Sequence, residues 1–100
     1  MSLENITSGV QARLMDLTGL NYSVKFDMGE EGIVFVDGRS NPPGLSNDDE
    51  EADCTIRLSP ESMEKMIAGT LNPTLAYSMG KLKVDGSMGV ALKVASMLEE

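Results

Sequence analysis

The chain is 100 residues long, one domain's worth, with 8 Lys plus Arg against 16 Asp plus Glu, a formal net charge of −8 and no histidine. That balance argues against nucleic acid, whose phosphates select clustered Lys and Arg, and against tight electrostatic docking on an anionic membrane, leaving at most transient apolar contact. Without histidine there are no imidazole metal ligands and no Ser-His or Cys-His nucleophile pair.

Ile6, Val10, Leu14 and Leu17 recur at steps of three and four, with Ser2 as N-cap and Thr18-Gly19 as the stop, and predict a first helix. From Tyr22 the period becomes two. Tyr22, Val24, Phe26 and Met28 alternate with Ser23, Lys25 and Asp27, a strand with one buried face and one wet face. Gly29-Glu30-Glu31-Gly32 joins it to Ile33-Val34-Phe35-Val36-Asp37 as an antiparallel hairpin. This second strand is apolar on both faces, so either a helix covers its second face or the patch meets another chain.

Ser40 to Glu51 has two prolines, Gly44 and an acidic run, and reads as a loop. Cys54, Ile56 and Leu58 then alternate with Asp53, Thr55 and Arg57 in a third strand. Ser59-Pro60-Glu61 opens a helix with Met63, Met66 and Ile67 on one face and Gly69 at its end. Asn72-Pro73 repeats the device for a helix with Leu75, Ala76 and Met79 on one face, ended by Gly80. Leu82 and Val84 alternate with Lys81, Lys83 and Asp85 in a last strand, and Ser87 opens a helix running to Leu98. That helix is so apolar that it is expected to be buried nearly all round. The longest apolar run, Ile33 to Val36, is far short of the ~20 residues that span a membrane.

Candidate chemistry is sparse. Cys54 falls on an apolar strand face, where a thiol acts as a small hydrophobe. The acidic run Asp48, Asp49, Glu50, Glu51, Asp53 lacks the spacing of an EF-hand loop and reads as a solvated guard on a sheet edge. Glu61 and Glu64 lack the rest of an acid–base site. Asp85-Gly86-Ser87-Met88-Gly89 matches neither a dinucleotide loop nor a P-loop, and only eleven residues follow Gly89. Its plain reading is Gly86 for the turn, Ser87 for the cap and Gly89 for close helix packing. Met63, Met66, Met79, Met88 and Met97 all fall in predicted helices, either as core filler or as an adaptable lining for apolar ligands.

Ala52 to Leu98 resembles the sterol carrier protein 2 domain family. The resemblance is most specific at Ala52-Asp53-Cys54-Thr55-Ile56, at Gly69 with Asn72-Pro73 and Ala76, and at Gly80-Lys81-Leu82-Lys83 followed by Gly86, Met88-Gly89, Ala91 and Lys93. It implies an α+β fold over the whole chain: a mainly antiparallel sheet of four to five strands, helices packed on one face, and an apolar tunnel between the layers. It also implies binding of sterols, fatty acids or fatty acyl-CoA, with no cofactor.

The resulting expectation is a non-enzymatic, cytoplasmic lipid-binding or lipid-transfer protein, a location also suggested by the single cysteine and the N-terminus without basic or apolar signal character. From the predicted apolar faces, the expected lining is Met63, Met66 and Ile67, then Leu71, Leu75 and Met79, then Met88, Leu92 and Leu98. Phe26 and Phe35 are expected to add contacts from the sheet. Two rivals stand beside this: a homodimer formed through Val34 and Val36, and an accessory domain presenting lipid to a quinone or sterol enzyme.

Overall fold

The computed structural model describes residues 3–40 and 42–97. In chain order the elements are α1 (Leu3–Arg13), β1 (Ser23–Asp27), β2 (Ile33–Asp37), β3 (Gly44–Ser46), β4 (Cys54–Arg57), α2 (Pro60–Ile67), α3 (Pro73–Ser78), β5 (Lys83–Gly86) and α4 (Met88–Met97). Leu14–Leu17 prolongs α1 as a 3-10 turn. Ser2, expected to cap α1, and Leu98, expected at the end of α4, lie outside the described residues. Among the described residues no helix is long and apolar enough to cross a membrane.

The strands form one sheet in the order β3-β2-β1-β4-β5. The β1–β2 hairpin forms as expected, and β1 also pairs with β4, in parallel, while the other pairings are antiparallel. No tight turn can join parallel strands, so their register needs another anchor. Ser23 and Asp53 supply it. The Ser23 amide and hydroxyl donate to Asp53 Oδ2 at 2.9 and 3.3 Å, and the Asp53 amide donates to Ser23 Oγ at 2.9 Å. This link reverses one expectation: Ser23 is fully buried by its partner, whereas Tyr22, beyond the end of β1, is exposed.

Strand residues alternate between faces, so the register sorts the sheet into two surfaces. Val24, Phe26, Val34, Val36, Cys54 and Ile56 share the inner face, and Lys25, Asp27, Thr55, Arg57, Lys83 and Asp85 share the outer one. All four helices belong to the inner side. There α1 packs on α2, α4 lies on β4, β5 and the Leu14–Leu17 turn, and α3 packs on α4. Ile6 and Val10 of α1, Met63 and Met66 of α2 and Val94 of α4 join Phe26 in one core cluster. Val34 and Val36 have no exposed surface within a single chain, which removes them as a dimer patch.

Two further expectations are corrected. The stretch expected to be all loop contains β3, an edge strand in which Leu45 pairs with Val36 and Ser46 with Phe35. Three residues are too few to declare a period of two. Next, α4 is not buried all round: Ala91, Val94 and Ala95 are buried, Met88, Val90, Leu92 and Met97 are partly buried, and Gly89, Lys93 and Ser96 are exposed. A helix lying on one layer buries only the side it turns to that layer. Here the small residues at i, i+3 and i+4 make the close contact.

The glycines of the Asp85 to Gly89 turn divide differently from the sequence reading. Gly86 has φ +112, and a Cβ there would lie 2.6 Å from the Asp53 carbonyl oxygen, so β5 can approach β4 only with glycine. Gly89 has no such neighbour, since its Cβ would meet only Ser87 Oγ at 3.8 Å. Ser87 does act as a cap, its Oγ accepting from the Val90 amide at 3.3 Å. Gly86→Ala is therefore expected to destabilise by about 2 kcal/mol or more. Gly89→Ala, in a helical position with room for a methyl, is expected to stabilise by about 0.5–1 kcal/mol. Thermal melts of the two variants should move in opposite directions.

Cys54 is fully buried on β4, with its Sγ–H directed at the Ser87 carbonyl oxygen at 3.5 Å. Burial pushes the thiol pKa up, and Asp85 and Asp53 add to the rise. In the unfolded chain the thiol ionises at a lower pH, so that state holds fewer protons in the alkaline range, and stability should fall as pH rises past the ordinary thiol value. Alkylation of Cys54 at neutral pH is expected to be slow until denaturant unfolds the chain. Rapid labelling of the folded protein would contradict this placement.

Candidate apolar ligand site

The helical layer over the inner sheet face contains two short helices built alike. Ser59 Oγ accepts from the Ser62 amide at 3.0 Å ahead of Pro60, and Asn72 Oδ1 accepts from the Leu75 amide at 3.2 Å ahead of Pro73. Before each cap sits an apolar residue, Leu58 or Leu71, and four positions past each cap sits Met63 or Ala76. All four side chains are buried, as a hydrophobic staple requires.

The two C-termini also match. The Gly69 and Thr70 amides donate to the Met66 and Lys65 carbonyls at 3.2 and 2.9 Å, and the Gly80 and Lys81 amides to those of Tyr77 and Ala76 at 3.0 and 2.9 Å. This is the Schellman pairing, with both glycines left-handed at φ 80 and 77. Each helix therefore satisfies its own ends. None of these end bonds goes to the sheet; α2 packs on α1 and α3 on α4, and Met63, Met66 and Ala76 join the two helices to the apolar core.

The expected lining residues fall into distinct groups. Phe26, Met63 and Met66 are fully buried in the shared core, and Leu71 is nearly so. Ile67 packs against that core from the end of α2. Met88 and Leu92, four residues apart on α4, are both half-buried. Leu75 and Met79 are exposed, because α3 turns Pro73 and Ala76 inward instead. Phe35 pairs with Lys25 and lies on the outer face, opposite Phe26, so the two aromatic rings do not border one space. Leu98 lies outside the described residues.

The outer face is polar and tied down. Lys25 Nζ reaches Asp49 Oδ1 at 2.7 Å, which lays the acidic loop across it, and Asn47 Nδ2 donates to the Ile33 carbonyl at 2.8 Å and to Thr7 Oγ1 at 3.1 Å. Phe35 borders a cleft of about 250 Å³ on this side, together with Asp37, Arg39, Leu45 and Glu50. The Arg39 guanidinium, 3.0 Å from Asp37, holds that carboxyl below its usual pKa. A second cleft, of about 330 Å³, opens beside α2 between Ser59, Glu61, Ser62, Lys65, Leu71 and Lys81. Sequence spacing carried no signal for it, because Lys65 and Lys81 meet only through the double turn of α2 and α3.

What the inner layer can do chemically is limited and clear. It offers aliphatic, thioether and aromatic surface, and its one reactive group, Cys54, is held as a neutral thiol. Such a surface suits an apolar molecule and contributes through area alone.

Known proteins share this fold and part of this sequence. A family model described as the SCP-2 sterol transfer family matches residues 3–99. Sterol carrier protein 2 of Bos taurus is 36% identical over 70 residues, covering 69% of this chain and 13% of that protein. Hydroxysteroid dehydrogenase-like protein 2 of Xenopus laevis is 35% identical over 71 residues, covering 69% of this chain and 17% of that protein. The chain thus spans a small part of the length of these relatives. The solution structure of Aedes aegypti sterol carrier protein 2 in complex with the C16 fatty acid palmitate superposes with a TM-score of 0.75 at 20% identity, covering 98% of this chain and 96% of that one. With the family model matched over nearly its whole length and the sheet-and-helix fold shared, this chain belongs to the SCP-2 sterol transfer family.

Proposed function

We propose that the chain is a non-enzymatic lipid carrier that holds one fatty-acyl or sterol-like molecule between the inner sheet face and the helical layer. The observation that carries this reading is the α2–α3 pair, capped at both ends of each helix by its own residues and joined to the core through the apolar side chains of Met63, Met66 and Ala76. Moved together as one unit, α2 and α3 keep every one of these capping bonds. Opening therefore exposes apolar surface and orphans no helix end.

Met63 and Met66 lie at the centre of the seam with Phe26, and their unbranched thioethers can repack around a guest. Leu71, Ile67, Met88 and Leu92 stand around them and complete the proposed lining. Each buried methylene contributes ~0.8 kcal/mol, so a sixteen-carbon chain gains on the order of 12 kcal/mol gross before ordering costs. That is ample for binding without a charged anchor. A relative of the same fold bearing palmitate supports the choice of ligand class, and the free buried thiol of Cys54 suits a reducing compartment, so we take the carrier to act in the cytoplasm.

The match to part of a longer, dehydrogenase-like relative supports a second reading, in which the same domain presents its lipid to an enzyme. Purification from native cells separates the two: a carrier emerges with lipid alone, a presenting domain with lipid and an enzyme.

Titration of the pure protein with a fluorescent fatty acid tests the proposal. Saturable one-to-one binding is expected, and Leu92→Glu should weaken it by more than tenfold with the circular dichroism spectrum retained. Absence of saturable binding to folded protein would overturn the carrier reading. Unchanged affinity in Leu92→Glu would remove that residue from the lining.

A further inference from the structure

The two edges of the sheet, β3 and β5, are guarded differently. β3 stands between Pro42-Pro43 and the acidic run Asp48 to Glu51, and both features discourage pairing with another strand. At the other edge β5 pairs with β4 alone. An antiparallel neighbour satisfies only alternate backbone groups of a strand, so those that point outward from β5 need a further partner. Among the described residues, no backbone hydrogen bond outside the ladder uses Lys83 to Gly86. Lys83, Asp85 and Gly86 are exposed, and Val84 is partly buried.

A lone lysine on such an edge would deter a second strand. Here Asp85 lies two residues from Lys83 on the same outer face, which makes the edge complementary to itself. With β5 of one copy antiparallel to β5 of another about a two-fold axis at Val84, Lys83 of each copy stands opposite Asp85 of the other, and Val84 opposite Val84. Both kinds of pair stabilise neighbouring strands, opposite charges on the wet face and β-branched side chains on the inner one. Asp85 also lies 4.0 Å from Arg57 of β4, so the new pairs extend an existing row of charge. Moving the axis to Lys83 or to Asp85 would set like charges face to face, so the register is specified too. The helix on this edge adds a second observation. α4 lies on β4 and β5, and only Lys93 and Ser96 are polar between Met88 and Met97, yet one chain leaves Met88, Val90, Leu92 and Met97 only partly buried. From Lys81 to Met97, Asp85 is the single acid against Lys81, Lys83 and Lys93, so the acidic surplus that drives copies apart is carried elsewhere.

We propose that β5 is a docking edge for a second copy of this chain: two copies join antiparallel through Lys83–Gly86, with Lys83 and Asp85 paired across the two-fold axis, so that their sheets become one and an α4 from each copy stands beside the seam. Such a contact uses up the edge it needs, so assembly stops at two copies. The seam is short for a dimer, so association is weak and depends on concentration. The proposal goes beyond the carrier reading and does not require bound cargo, since Lys83 and Asp85 lie on the sheet face opposite the proposed lining.

The test is sedimentation velocity of the full chain over a range of concentrations, and a monomer–dimer equilibrium is expected. Lys83→Asp and Asp85→Lys should each weaken dimerisation about tenfold or more, because like charges then meet twice across the axis, with the circular dichroism spectrum and the fatty-acid titration unchanged. An equal mixture of the two variants should form a heterodimer, and a chain carrying both changes should recover the homodimer. A chain that stays monomeric up to its solubility, a dimer that both reversals leave intact, or a loss that neither the mixture nor the double variant restores would overturn the proposal. Should a reversal fail to fold, the unaltered chain decides: amide exchange at Lys83 to Gly86 should slow as concentration rises, and a dimer without that slowing would place the contact elsewhere and overturn it. A fatty-acid titration that fails while the dimer persists would count against the carrier reading alone.

Discussion

Strand register decides which side chains of the sheet face the helical layer. Side chains alternate across a sheet, and the parallel β1–β4 pair, pinned at its start by Ser23 and Asp53, sets the phase for the neighbouring strands. Val24, Phe26, Cys54 and Ile56 then face the helices, and Lys25, Asp27, Thr55 and Arg57 face solvent or the acidic loop. A slip by one residue would exchange the two sets and leave the helices without an apolar floor. The close seat of Gly86 against the Asp53 carbonyl locks β5 to the same pair, so one region of the sheet holds its edge and its phase together.

On that floor the two layers are held by different means. The strands are joined by hydrogen bonds and by side-chain links across them. The helices α2 and α3 close their own termini with serine or asparagine at one end and a Schellman glycine at the other, and reach the sheet through Met63, Met66 and their neighbours. Apolar contact has no preferred direction, so it can be exchanged for contact with a guest of similar area, whereas a ladder of hydrogen bonds cannot. On the proposed carrier reading, the contacts a guest would replace lie in the helical layer and the fixed ones in the sheet.

Much of this was legible in the sequence, and what was not has physical reasons. The second strand was read to its observed limits, Ile33–Asp37, because a glycine turn and a polar end bracket it. The starts of α2 and α3 were read from Ser59-Pro60 and Asn72-Pro73, since capping chemistry is local. Phe35 could not be assigned a face, because β2 is apolar on both sides and only pairing with Lys25 turns that ring outward. Leu75 and Met79 looked like an inward face because α3 is six residues long, less than two full turns, and a pattern that short fits more than one orientation. The richness of α4 in apolar residues suggested full burial, and a helix on the margin of a single layer cannot have it. The inward turn of Ser23 depended on Asp53, thirty residues away, and no local pattern announces such a partner.

The account rests on the claim that lipid enters by displacing the helical layer from a sheet that stays intact. Amide hydrogen exchange of the protein with and without palmitate measures this directly. The expected result is that palmitate slows exchange across residues 59–81 and the inner side of α4, while β1, β2 and β4 keep the same rates. Protection gained instead on the outer sheet face and the acidic loop, or no change anywhere at saturating palmitate, would contradict it.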